Sequence, residues 1–299
     1  MHILVTGGTG LIGQVLVAEL LQRGDQVTLL SRNFKKSRDL YDGQVSLLGS
    51  VRNSGLKVDA VINLAGEPIA DKRWSRRRKR KLKQSRIGVT EDIIAWLRTC
   101  EHKPEAFISG SAIGYYGNYP ESLQLNETAA PRQGFASELC REWEATARLA
   151  EPLGVRVCLV RTAVVLAKQG GALKKMWLPF SLGLGGPIAS GNQWFSWIHL
   201  QDMVKLLLFL IDNPSVSGPV NAAAPYPVTN NDFSRQFARA LHRPVFCRVP
   251  AIALVLAMGE SAELLLGGQR VVPKKLLDKG FVFDYPQLGQ ALTDVVTRR

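Results

Sequence analysis

The chain has 299 residues, 46% hydrophobic and 21% charged, a globular balance with apolar material for one or two domains. Its longest apolar runs, residues 206–211 and 251–258, are too short to cross a bilayer, and its four cysteines show neither a C-x-x-C pair nor zinc-ligand spacing. A membrane span, a disulfide framework and a metal site are therefore not expected, and the cysteines read as reduced, mostly buried thiols.

The net charge of +13 is local: residues 72–86 (KRWSRRRKRKLKQSR) hold ten Lys or Arg and no acid, and without them the balance falls to +3. Such a helix can grip nucleic acid or anionic lipid by counterion release, but without interleaved stacking aromatics it reads first as a solvated face, with Trp74 and Leu82 turned inward. Nucleic acid is not an expected partner. Residues 1–5 enter a strand with no signal-peptide pattern, so the expected location is cytoplasmic.

In chain order, residues 3–6 read as a strand, 13–23 as a helix, 26–30 as a strand and, after a variable segment, 60–64 as another strand. The alternation continues with a helix at 86–98, a strand at 106–109, a helix at 137–150 and a strand at 156–160. Continuous Val/Ile/Leu runs separated by amphipathic helices predict a doubly wound α/β fold of Rossmann type with six or seven parallel strands. Residues 183–193 (GLGGPIASGNQ) form a Gly/Pro-rich loop, and residues 250–299 read as helices with a short strand or turn. The expected organisation is a nucleotide-binding domain at 1–166, to which 194–217 returns, and a smaller substrate lobe from 167–193 and 218–299.

The loop between the first strand and first helix spaces Gly7, Gly10 and Gly13 as G-x-x-G-x-x-G. Gly7 allows the tight turn, Gly10 lets backbone approach a pyrophosphate, and Gly13 lets helix and strand pack closely. At the end of the second strand, where an acid would hold the ribose of NAD, the chain reads Leu30-Ser31-Arg32-Asn33, with no acid before Asp39. A guanidinium and a hydroxyl there suit the 2′-phosphate of NADP.

Residues 108–117 (ISGSAIGYYG) set Ser111, Tyr115 and Tyr116 where an apolar strand ends, and all three are expected to line a pocket. Arg161 and Thr162 end another strand and suit an anion contact. His199 and Asp202 are expected to pair and to join their segment to the helix at 203–211. Trp194, Phe195 and Trp197 follow the Gly-rich loop, where they suit closing the substrate side, but aromatics at such density read first as core.

The glycine fingerprint, residues 59–66 (DAVINLAG), the Ser111-x-x-x-Tyr115 spacing and residues 197–202 (WIHLQD) together resemble the extended short-chain dehydrogenase/reductases, the nucleotide-sugar epimerase-like group. The sequence is closer still to an atypical branch, the epimerase family proteins, through NLAGEPIADKRW, SGSAIGYYG, LGLGGPI, WFSWIHLQDMV and GGQRVVPKKLLDKGFVF, spread over nearly the full length. The resemblance implies a Rossmann domain binding NADP(H) and a small C-terminal substrate domain. By position it implies Gly7, Thr9, Gly10, Leu11, Ile12 and Gly13 at the pyrophosphate, and Ser31 and Arg32 at the adenosine phosphate. It further implies Leu64, Ala65, Gly66 and Glu67 along the cofactor path, with Arg86 as another contact.

One departure limits the chemistry. Most relatives use a Ser, a Tyr and a Lys four residues after the Tyr; Ser111 fits the first role, but Phe135 and Leu139 stand where the other two are expected. Loss of a general acid typically costs about 10²–10⁴-fold in rate. Two readings stay open. One is an NADP(H)-dependent oxidoreductase or epimerase-like enzyme acting on a small carbonyl or alcohol, with Ser111 orienting the oxygen and Tyr115 or Tyr116 replacing the missing phenol. The other is a catalytically weak or inactive NADPH/NADP⁺ sensor that regulates a protein partner. A homodimer is compatible with either.

Overall fold

In a computed structural model that describes residues 1–52, 54–119 and 123–298, the apolar runs assemble into one seven-stranded parallel sheet with helices on both faces. The first half comprises β1 (His2–Thr6), α1 (Leu11–Gln22), β2 (Gln26–Leu30), α2 (Phe34–Tyr41), β3 (Ser46–Leu48) and β4 (Ala60–Asn63). Helices α3 (Arg76–Lys83) and α4 (Val89–Thr99), joined by a π-helical turn at Gln84–Gly88, lead to β5 (Ala106–Ala112). After β6 (Gln124–Leu125), α5 (Phe135–Arg148) carries the chain to β7 (Arg156–Thr162). Next come β8 (Val164–Leu166), α6 (Gly171–Ser181), β9 (Trp194–Phe195), β10 (Trp197–His199), α7 (Leu200–Asp212) and β11 (Gly218–Ala222). The chain ends through β12 (Val228–Thr229), α8 (Asn230–Ala240), α9 (Ala251–Met258), α10 (Glu263–Leu266), β13 (Arg270–Val271), α11 (Lys274–Asp278) and α12 (Leu288–Thr297).

The sheet order is β11-β7-β5-β4-β1-β2-β3, with every ladder parallel. Side chains alternate across each strand, so Ile3, Val5, Ile62, Ile108 and Val160 pack on one face with residues of α1 and α7. Leu4, Val61, Phe107 and Leu159 pack on the other with residues of α4 and α5. Burying each such side chain contributes about 1.5–3 kcal/mol, and burial on two faces is why these strands read as unbroken apolar runs.

The structure corrects the expected boundary at residue 217. Strand β11 lies beside β7, with Val220 opposite Val160, and both valines are wholly buried; the segment completes the sheet rather than opening the lobe. Leu276, Phe281 and Phe283 also pack onto the main core, with Phe281 edge-on to Phe209 at 5.2 Å. A second apolar core joins Leu173, Phe180, Trp197, Phe233, Phe237 and Leu292, and Phe195 stacks on Phe233 at 4.0 Å.

The expected pairing of His199 with Asp202 does not form. His199 caps α7, so its Nδ1 accepts the Gln201 amide at 3.2 Å while Nε2 lies 3.1 Å from Asp294. Asp202, inside the first turn, faces another neighbour and accepts the amides of Asp284 and Tyr285 at 2.8 and 3.0 Å. Both side chains instead tie α7 to the C-terminal segment. Of the cysteines, Cys140 and Cys158 are buried, Cys100 is half-buried and Cys247 is exposed. Among the described residues no helix is long and apolar enough to cross a membrane.

Candidate cofactor groove and active site

The strand order reverses between β1 and β4, and the loops leaving these two strands meet there, the position at which doubly wound sheets bind ligands. Gly7 has φ +70°, and a Cβ on it would sit 2.5 Å from the Leu64 carbonyl oxygen, so only glycine allows the two loops to close together. A Cβ on Gly13 would lie 2.3 Å from the Gly7 carbonyl oxygen, which explains how α1 packs so tightly behind the turn. Gly10, the N-cap of α1, supplies no side-chain cap, and the first turn holds no acid. The amides of Leu11 and Ile12 therefore open the helix without an intrahelical or side-chain acceptor.

Helix α2 holds the loop from behind. Tyr41 donates its hydroxyl proton to the Gly8 carbonyl at 2.6 Å, and Lys36 donates to the Thr9 carbonyl at 3.2 Å. Since a trans peptide points its N–H opposite its C=O, fixing the Gly8 carbonyl aims the Thr9 amide away from Tyr41. Burial pushes the Tyr41 phenol up to about 12, so it remains a donor across the physiological range. Beside this loop, Ser31 shares a 2.8 Å hydrogen bond with Ser37, whereas Arg32 is exposed and has no intramolecular partner among the described residues.

The β4 side of the groove is pinned by a polar relay. Thr6 donates to Asn63 Oδ1 at 2.6 Å, and Asn63 Nδ2 donates to Thr90 Oγ1 at 2.9 Å, which also accepts Trp143 Nε1 at 3.0 Å. The Ala65 amide donates to Thr6 Oγ1 at 3.1 Å, so the loop Leu64-Ala65-Gly66 is hung from β1. The Glu67 amide donates to Ser85 Oγ at 3.0 Å, and Arg86 donates to the Glu67 carbonyl at 2.9 Å. The π-helical turn places both residues there. Burial holds the Arg86 pKa below its ordinary value. Its guanidinium backs the loop and lies over Trp143 at 5.5 Å. The basic helix α3 has a structural partner too: Glu67 takes Arg78 at 3.1 Å and Lys81 at 3.2 Å. Trp74 and Leu82 point into an apolar cluster.

A dinucleotide fits this set on three counts: an uncapped helix end, a cradle that side chains at Gly7 and Gly13 would fill, and amides aimed by bonds made to the opposite side of the loop. Among the described residues no cluster of His, Cys, Asp or Glu could hold a metal ion.

At the end of β5, the three expected hydroxyls separate. Ser111 is buried and donates to Glu144 at 2.7 Å. Arg161, 2% exposed, grips the same carboxylate through two bonds of 2.9 Å, so it balances Glu144 rather than waiting for an anion as the sequence suggested. Tyr116 is wholly buried, donates to Asn221 Oδ1 at 2.6 Å and accepts Arg161 at 3.1 Å. Burial pushes its phenol up to about 12 against the opposing pull of Arg161. Tyr116 thus leaves the expected set of pocket residues, because its ring fills the core and its hydroxyl is spent. Only Tyr115 of the pair keeps surface; its ring lies over the Arg161 guanidinium at 3.4 Å, and its hydroxyl makes no hydrogen bond among the described residues. Phe135 and Leu139 lie in the apolar cluster with Trp74 and Leu82, Phe135 edge-on to Trp74 at 4.8 Å, so the place of the usual phenol and amine is hydrocarbon.

Glu144, Asn63, Thr90 and Tyr41 were not singled out from the sequence. Glu144 carried a usable signal, a carboxylate on the inward face of α5 beside Cys140, Trp143 and Ala147, where an acid needs a partner. Asn63 is likewise a polar end to a buried strand.

Sheet order, switch-point loops and uncapped helix define a Rossmann-type protein of the extended short-chain dehydrogenase/reductase class. The model of the NAD dependent epimerase/dehydratase family matches residues 3–223, and a domain of unknown function, DUF1731, matches 249–295. The chain belongs to that epimerase/dehydratase family. It is 38% identical over 300 residues to an epimerase family protein of Staphylococcus haemolyticus, covering 98% of each chain. A Staphylococcus aureus epimerase family protein is 37% identical over 298 residues, again 98% of each chain. The crystal structure of human epimerase family protein SDR39U1 with NADPH is similar across 99% of both chains, with a TM-score of 0.92 and 35% identity. Thermus thermophilus UDP-glucose 4-epimerase, solved with NAD, shares the fold with a TM-score of 0.77 at 18% identity.

Proposed function

We propose that the protein binds NADP(H) in the β1–β4 groove and exchanges hydride with a small carbonyl or alcohol substrate. The observation that carries this reading is the rigid, uncapped start of α1 beside an exposed, unpaired Arg32. The amides of Thr9, Leu11 and Ile12 would take the pyrophosphate, and Arg32 the 2′-phosphate through its planar fork. When bound, the cofactor supplies hydride exchange at its nicotinamide carbon. Tyr115 is the candidate proton carrier, since it alone of the three hydroxyl residues keeps both surface and an uncommitted hydroxyl. Ser111 positions this end of β5 through Glu144.

The NADPH/NADP⁺ sensor is the second reading, favoured by the commitment of Ser111 to Glu144 and by the hydrocarbon at Phe135 and Leu139. Calorimetry with NADPH and NADH, followed by NADPH consumption across a carbonyl panel with wild type and Tyr115→Phe, separates them. Turnover that Tyr115→Phe abolishes supports the enzyme. Tight NADPH binding with no turnover supports the sensor, and no binding of either dinucleotide refutes both.

A further inference from the structure

The C-terminal half carries an apolar surface that the cofactor groove leaves unused. Helix α9, AIALVLAM, buries none of its residues. Ile252 and Leu256, one turn apart, are each 69% exposed, and Phe246 in the preceding segment is 86% exposed. Leu178 near the end of α6 and Leu182, the residue that caps it, lie one turn apart and are 66% and 63% exposed. The two helices are tied at both ends. Arg243 donates to the Ser181 carbonyl at 2.7 Å, which lays the segment before α9 along the end of α6. Lys175 donates to the Ala70 carbonyl at 3.2 Å and Arg73 to the Ala257 carbonyl at 2.9 Å, so the loop at residues 70–73 links α6 to the far end of α9.

The surroundings are cationic. No Asp or Glu occurs at residues 152–201 or 233–259, the stretches that supply the patch together with Lys174, Arg243 and Arg248. Among the described residues Arg243 and Arg248 bond only to carbonyls, which leaves their charge without a paired carboxylate there. The rim carboxylates Asp71 and Glu260 are taken by Lys175 and Lys79.

We propose that this face docks on an anionic lipid surface, its leucine, isoleucine and phenylalanine tips entering the acyl boundary while the neighbouring Lys and Arg meet headgroup phosphates. A second copy is a poor occupant, because a two-fold contact would set the acid-free stretches against themselves. A nucleic acid would satisfy the cations and leave the aliphatic tips in water. An anionic bilayer does both, and long cationic stems reach its headgroups while apolar side chains sink below them.

Flotation of the full chain with phosphatidylcholine vesicles, with and without phosphatidylglycerol, tests this at low and high salt. Binding is expected only to the anionic vesicles, weakened by salt. The double variant Ile252→Glu/Leu256→Glu is expected to lower the partition coefficient about tenfold or more. Arg243→Gln is expected to lower it about fivefold. Both variants alter surface side chains, and unchanged thermal midpoints check that the fold stands. The proposal fails if wild type ignores anionic vesicles at low salt. It fails equally if polyglutamate binds as well as vesicles and Leu256→Glu leaves vesicle binding intact, which assigns the face to an acidic protein. Sedimentation showing a dimer that Leu256→Glu dissociates would assign it to a second copy.

Discussion

Glu144 offers the most direct test of how the end of β5 is built. Its carboxylate accepts three hydrogen bonds, from Ser111 at 2.7 Å and from Arg161 at 2.9 and 2.9 Å. Glu144→Ala would leave the buried guanidinium no counterion, with the Tyr116 hydroxyl at 3.1 Å and the Glu127 carbonyl at 3.2 Å as its remaining hydrogen-bond acceptors and the Tyr115 ring over it. Breaking a buried pair from one side costs about 3–5 kcal/mol, because the surviving charge keeps its desolvation penalty and loses its counterion. Glu144→Gln keeps the shape and one acceptor, with an expected loss of about 1–3 kcal/mol. The double variant Glu144→Met/Arg161→Met removes both charges and is expected to recover most of the stability lost in Glu144→Ala. Urea unfolding followed by tryptophan fluorescence and far-ultraviolet circular dichroism reads all three. A Glu144→Ala protein within about 1 kcal/mol of wild type would refute the reasoning, as would a double variant no more stable than that single one.

Arg32→Ser is expected to weaken NADPH about ten- to hundredfold and leave NADH unchanged, measured by calorimetry. Gly13→Ala would place a methyl 2.3 Å from the Gly7 carbonyl oxygen and 2.7 Å from Gly8 Cα. Because both neighbours are backbone, the turn must move, with an expected stability loss of about 1–3 kcal/mol and lost dinucleotide binding, read by thermal shift with and without NADPH. Burial lowers the His199 pKa from 6.5 to about 4, although Asp294 pulls it upward. The unfolded chain then takes up a proton that the folded protein refuses between those values, so stability falls as pH drops through the window, by about 3 kcal/mol in all. Urea midpoints for wild type and His199→Gln should diverge over that range, and parallel curves would contradict the assignment.

Strand runs were legible because burial on two faces leaves nothing polar in them: Ile3, Val61, Ile108 and Val160 announce the sheet without reference to any partner. The glycine spacing was legible because backbone approach at Gly7 and Gly13 admits no other residue. What sequence reading missed depends on contacts between distant segments. Whether Tyr115 or Tyr116 turns inward is decided by Asn221 and Arg161, which lie far along the chain. Ser111 looked free because its acceptor Glu144 is 33 residues away. Strand β11 was hard to read because its run GPVNA is short, begins Gly218-Pro219 and holds few apolar residues, so that only its pairing with β7 reveals it as the border of the sheet.

The late arrival of β11 means that the sheet and the C-terminal elements are interleaved along the polypeptide. The chain leaves after β7, lays down α6, returns through α7 and only then closes the last ladder. No single cut can free an intact nucleotide-binding half: a truncation after α7 strips the sheet of its border, and one after β11 forfeits Leu276, Phe281 and Phe283 from the main core. Exchanging substrate-side elements between relatives therefore calls for transplanting discontinuous pieces, and a nascent chain completes its parallel array only after α6 and α7 have been made.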